Sequence, residues 1–150
     1  MVRTLMAAAA LGIAALTAAA SPAAAQDFYF IQNRWNADKW LNIEPGYVVA
    51  TDVEDGWHSA HWFIEYIDNQ HFRVRNRWTN CYLHIEFGDV QCGQIEAGWL
   101  SAQWSTSDTP EGWSFVQNRW KGCYLHVERG PVQCGNVQRG WHSAQWKLEE

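Results

Sequence analysis

One unit of about 42 residues, repeated three times, constrains this chain more than any other feature. Trp62, Trp104 and Trp146 stand 42 residues apart and close the three copies. Asn33-Arg34-Trp35 returns as Asn76-Arg77-Trp78 and Asn118-Arg119-Trp120, and Gly56-Trp57 returns as Gly98-Trp99 and Gly140-Trp141. Between Asn76–Trp104 and Asn118–Trp146, 19 of 29 positions are identical, which chance does not produce. The first copy is more diverged and carries one extra residue in its Asn36-Ala37-Asp38 turn.

Each unit reads as four short strands parted by turn residues. In the second copy these are expected near Phe72–Trp78, Cys81–Glu86, Val90–Ile95 and Ser101–Ser105, with Gly88 and Gly98 as breaks. Helical periodicity is absent from residue 26 onward. Propeller blades have a similar length, but a propeller needs at least four of them. Twelve strands in three equal units therefore predict an all-β chain, a closed barrel of pseudo-threefold symmetry with three capping hairpins.

Residues 1–25 are read as a signal peptide cleaved before Gln26: Arg3, an apolar run from Leu5 to Ala20, then Ala23-Ala24-Ala25. Its Ala-rich style points to a bacterial protein sent to the periplasm or the medium. Residues 26–150 then form a single domain, with repeats at about 28–69, 70–112 and 113–150. The chain's net charge of −5 becomes −6 once Arg3 is lost, because all sixteen acidic residues remain. That balance excludes the basic footprint that nucleic acid or anionic lipid requires. No second long apolar run follows, so no membrane insertion is expected, and a monomer is.

Four cysteines in an exported chain favour disulfides over three connectivities. The repeats choose among them. Cys81 and Cys92, like Cys123 and Cys134, are matched in the first copy by Lys39 and Ala50, so both partners vanish together. Pairing within each repeat follows. A zinc site using His84 and His126 is disfavoured by the ten residues between cysteines, an unusual ligand spacing.

The closing Ser-Ala-x-Trp in a threefold unit resembles the ricin-type β-trefoil lectins, whose units end in Gln-x-Trp. The resemblance spans residues 28–149 and implies a carbohydrate-binding module with Trp62, Trp104 and Trp146 in the core. Ricin-type sites take an Asp at the end of the second strand, an aromatic in the third and a polar pair before the closing Trp. Here Asn42, His84 and His126 stand in place of that Asp, Gly93 and Gly135 stand near the aromatic, and Ala60, Ala102 and Ala144 replace the Gln. Only Ser59, Ser101 and Ser143 stay polar at the neighbouring position, so a galactose pocket is not implied.

Strand alternation proposes where sugar would bind instead. Tyr82, His84 and Glu86 share one face of their hairpin, with Gln91 expected opposite Tyr82. The third copy offers Tyr124, His126, Glu128 and Gln133, and the first offers Trp40, Asn42 and Glu44 with Val49 replacing the Gln. A ring beside an imidazole or amide and a carboxylate suits a pyranose, which stacks its apolar face and shares its hydroxyls. Such a face is also what any solvated antiparallel hairpin presents. Trp57, Trp99 and Trp141, each after a Gly, are either half-exposed packing or a second stacking platform. Trp35, Trp78 and Trp120 are expected to cover a barrel rim or else to stand exposed.

Every notable polar residue recurs two or three times, which marks structure or multivalent binding rather than one catalytic constellation. No enzyme, cofactor or metal is expected. Asp52, Glu54 and Asp55 with His58 and His61 break the symmetry, and a solvated loop accounts for them better than a metal site. The expected function is a secreted, non-catalytic lectin-like module with up to three weak equivalent sites for a glycan or polysaccharide. The alternative is a protein-binding trefoil, an inhibitor or envelope interaction protein, using the Asp52–Asp55 loop and the Ser105–Glu111 linker.

Overall fold

The computed structural model describes residues 25–44, 47–128 and 130–150; apart from Ala25, the expected leader lies outside them. Repeat 1 supplies β1 (Phe30–Asn33), β2 (Trp40–Glu44), β3 (Tyr47–Thr51) and β4 (Trp62–Tyr66). Repeat 2 supplies β5 (Phe72–Asn76), β6 (Tyr82–His84), β7 (Gln91–Gly93) and β8 (Trp104–Asp108). Repeat 3 supplies β9 (Ser114–Asn118), β10 (Tyr124–His126), β11 (Gln133–Gly135) and β12 (Gln145–Glu149). The fourth strand starts later than its sequence suggests. Ser101 lies in a single 3-10 turn, Leu100–Ala102, repeated at His58–Ala60 and His142–Ala144. Each turn reverses the chain after the Gly-Trp pair and delivers the closing Trp to the barrel.

Six strands close on themselves. β4 pairs β5, β5 pairs β8, β8 pairs β9, β9 pairs β12 and β12 pairs β1, all antiparallel. Tyr29 and Trp62 complete the ring by exchanging backbone hydrogen bonds of 2.8 and 2.9 Å. Closure leaves this barrel no free edge. The hairpins β2–β3, β6–β7 and β10–β11 form the other half of the architecture.

The core is built in threefold layers. Trp62, Trp104 and Trp146 are at most 1 % exposed, as are Leu41, Leu83 and Leu125. Each indole Nε1–H donates to the Leu carbonyl of its own hairpin, at 2.8 to 3.0 Å. A buried Trp thereby has its one polar atom satisfied. Ile31, Val74 and Val116 add a further layer. Cys81 is bonded to Cys92 and Cys123 to Cys134, with Cα separations of 5.2 and 5.3 Å, the pairing that the repeats indicate.

Asn-Arg-Trp and Ser-Ala-x-Trp turn out to be two halves of one joint between successive repeats. Asn76, fully buried, donates its Nδ2 to the Ser59 carbonyl, and its Oδ1 accepts the Trp78 N–H. Asn118 does the same with Ser101 and Trp120, and Asn33 with Ser143 and Trp35. The neighbouring Arg binds the residue before the closing Trp through both backbone and side chain: Arg34 to Gln145, Arg119 to Gln103, Arg77 to His61. The third member has no such duty. Of the two expectations for Trp35, Trp78 and Trp120, exposure is the one observed: they stand 58 %, 55 % and 45 % exposed. Only their backbone N–H is needed by the turn, so the fold leaves the rings outside.

Candidate functional site

β6 and β7 set up the hairpin face of repeat 2, and their register corrects the expected pairing. Gly93 lies opposite Tyr82, and Gln91 opposite His84. Tyr82 and His84 do share a face, but that face is not solvated. His84 is 2 % exposed, His126 8 % and Asn42 0 %. The Gly-Trp loop folds back over the hairpin and lays Trp99 against His84 with centroids 5.8 Å apart, and Trp141 against His126 at 6.2 Å. Alternation along one strand carries no information about a loop whose Trp99 returns fifteen positions after His84.

Bare glycine makes room for the imidazole. A methyl group on Gly93 would lie 3.0 Å from His84 Nε2, and one on Gly135 equally close to His126 Nε2. On its other side the ring is fixed by backbone. The Glu86 N–H donates to His84 Nδ1 at 3.2 Å, and the Glu128 N–H to His126 Nδ1 at 3.3 Å. Nδ1 therefore accepts and Nε2 carries the proton. Among the described residues, no protein group accepts that Nε2–H. The adjoining carboxylates are held too, Glu86 by the Ser101 hydroxyl at 2.5 Å and Glu128 by that of Ser143 at 2.7 Å. Phe87, 73 % exposed, adds an aromatic wall in repeat 2, 5.9 Å from His84 and 6.1 Å from Trp99. Each grouping, called a pit below, sets an imidazole donor, an anchored carboxylate and an indole side by side.

Repeat 1 has no such pit. Thr51 stands where Gly93 and Gly135 do, and its hydroxyl accepts from Asn42 Nδ2 at 2.8 Å. The donor that would serve a ligand is consumed inside the hairpin. The remaining expected site residues fall elsewhere. Trp40 packs edge-on against Phe30 and Tyr124 against Phe115. The Tyr82 hydroxyl donates to Glu65, itself paired with Arg75. These rings cover the barrel flank. Gln91, Gln133 and Glu44 are exposed, and Val49 is half-buried. Trp57 is 40 % exposed, Trp99 and Trp141 half-buried.

The symmetry-breaking cluster of repeat 1 is structural in part. His61 is buried between Phe28, stacked at 4.2 Å, and Phe30; its ring accepts from Arg77 and donates to the Asp55 carbonyl. It fills the place of Gln103 and Gln145. Among the described residues no group of three or more His, Cys, Asp or Glu is arranged to hold a metal. The linker after β8 lines, with Arg34 and Arg139, a cleft of about 390 Å³ that includes Thr109 and Glu111.

Burial holds the pKa of His61, His84 and His126 below the ordinary value of 6.5, against the pull of Glu86 and Glu128 on the latter two and with Arg77 pushing His61 the same way as burial. The unfolded chain therefore binds more protons than the folded one as pH falls past 6.5, and stability declines in that direction. Protonation would also turn Nδ1 of His84 and His126 from acceptor to donor, against the N–H it faces. The melting temperature should be lower at pH 5.5 than at pH 7.5, and the drop should shrink in His84→Gln/His126→Gln. Asp68, held at about 2 by the backbone N–H groups of Gln70 and His71, titrates well below that window. Equal melting temperatures at the two pH values would refute the neutral-histidine description.

No protein-family model and no curated protein sequence matches the chain. Solved structures do. The Clostridium perfringens endo-β-galactosidase that releases GlcNAcα1-4Gal is 34 % identical over 81 % of this chain and 31 % of that one, with a TM-score of 0.73. ThreeFoil, a designed threefold symmetric protein, is 19 % identical over 82 % of this chain and 98 % of its own, TM-score 0.72. The fold is a β-trefoil. SeviL bound to the asialo-GM1 saccharide shares this fold: it matches 82 % of this chain and 96 % of its own, at 19 % identity and TM-score 0.68. The chain spans less than a third of the galactosidase and galactanase chains it resembles.

Proposed function

We propose that this β-trefoil is an exported, non-catalytic, lectin-like module that binds glycan through two hairpin pits, those of repeats 2 and 3. The observation that carries the reading is an imidazole N–H that no protein group accepts, beside a bare glycine, found twice with the same indole and the same anchored carboxylate. An imidazole N–H that no protein group accepts is free to donate to a sugar hydroxyl arriving above it. The indole supports the ring's apolar face, and the carboxylate takes a second hydroxyl. Two sites on one chain gain strength on a multivalent glycan. Glu86 and Glu128 sit in separate repeats, each tied to a Ser, which supports binding rather than paired-carboxylate hydrolysis. The apolar leader and the two disulfides support export, and no helix among the described residues is long and apolar enough to cross a membrane.

A glycan array that includes polymers, galactosides and GlcNAcα1-4Gal ends tests the reading, followed by titration of whatever binds. Gly93→Ala with Gly135→Ala fills both pits and should weaken binding at least tenfold while the fold persists by circular dichroism. Thr51→Gly with Asn42→His should raise the stoichiometry from two pits to three. Absence of any reproducible glycan signal, with monosaccharides tried at millimolar concentration, sinks the proposal. The protein-binding alternative would instead use the cleft between the Thr109–Glu111 linker and Arg139, which has no threefold counterpart in sequence.

A further inference from the structure

We infer that the cleft between Trp57 and Trp78 is a separate subsite for neutral sugar rings within a longer glycan chain, an inference that rests on the glycan reading. Asn76 and Arg77 join repeat 2 to repeat 1, but the indole of Trp78 takes no part and stays 55 % exposed. Across from it Trp57 is 40 % exposed. The two rings line one open cleft of about 350 Å³ with Gly56, His58 and Ser59. That size lies at the small end of ligand sites, room for one or two sugar rings.

The walls select the occupant. They hold two aromatic faces, a hydroxyl and an imidazole, and no carboxylate, Lys or Arg. Nothing there would fix a charged peptide or an anionic polymer, and the net charge of −5 repels the latter. A pyranose in mid-chain suits such walls, since its apolar faces stack while its hydroxyls stay at the wet edges. Aromatic stacking of this kind needs few directed hydrogen bonds, so it tolerates either neighbour along the chain.

At the other two junctions the Gly-Trp indole is already engaged. Trp99 rests on His84 and Phe87, and Trp120 carries the Lys121 ammonium 4.6 Å from its ring centre. Trp141 rests on His126. Repeat 1 has Asn42 where those histidines stand, so Trp57 has no imidazole beneath it. The exchange that closes the pit of repeat 1 also frees its indole. The chain thus offers a glycan two pits and this cleft, not three copies of one site.

The test uses the Gly93→Ala/Gly135→Ala protein, in which the pits are filled, titrated with neutral oligosaccharides from one to six units while the indole N–H signals are followed by NMR. Residual binding should strengthen with chain length, shift the Trp57 and Trp78 signals, and fall at least tenfold on adding Trp78→Ala; His58→Ala should weaken it less. If filling the pits abolishes all binding seen in the unaltered protein, the cleft proposal fails and the pits stand. If no oligosaccharide shifts any indole signal even in the unaltered protein, both fail together. A concentration-dependent dimer that Trp78→Ala dissolves would also overturn it, by showing that the cleft receives a second copy of the chain.

Discussion

Trp104→Ala is expected to lower folding stability by about 4 kcal/mol, the cost typical of emptying a fully buried large aromatic site. Trp104 is 0 % exposed, and its Nε1–H satisfies the Leu83 carbonyl at 3.0 Å. The substitution leaves a cavity beside the barrel and an acceptor that water reaches poorly. Against a usual total of about 5–15 kcal/mol, the variant should unfold at a much lower urea concentration. Trp104→Phe separates the contributions, because it keeps most of the packing and strands the Leu83 carbonyl, for about 2 kcal/mol. A loss below about 2 kcal/mol for the Ala variant would mean that the threefold layer closes over the gap, and that the indole is not central to it.

Asn118→Ala should cost about 3 kcal/mol, because a buried side chain with bonds at both ends leaves several groups stranded. Its Nδ2 meets the Ser101 carbonyl at 2.8 Å, while its Oδ1 takes the N–H groups of Trp120 and Lys121 at 3.0 and 3.3 Å. Trp120→Ala, two positions on, should change stability by no more than about 0.5 kcal/mol, as exposed side chains do. The pair of urea curves dissects one tripeptide into an internal brace and an external ring. Equal losses from the two variants would contradict that division.

Much of the fold was legible because the chain states it three times. Repeat length and strand count sufficed for a closed threefold barrel, and the joint absence of two cysteines from repeat 1 chose the disulfides. Trp62, Trp104 and Trp146 could be placed in the core by resemblance alone. The role of Asn-Arg-Trp was not legible, because its partners lie in another repeat, up to 111 residues away. The hairpin face was half legible. Tyr82 and His84 do point the same way, but period-two alternation cannot foresee the Gly-Trp loop that buries His84. One signal was present and unread: His84 and His126 occur with Gly93 and Gly135, whereas Asn42 occurs with Thr51. Covariation between two positions inside one chain marked them as touching.

The joints between repeats also run from the last to the first, where Asn33 and Arg34 grip Ser143 and Gln145 and β1 pairs with β12. The polypeptide is linear, but its bonding is annular, without the capped outer units that a stacked array of repeats requires. The position of the two chain ends is then a minor detail of the architecture. Cut in an exposed loop between repeats and rejoined end to end, the molecule would keep all three joints. A lone repeat would keep none, having both halves of the grip and no neighbour to close it.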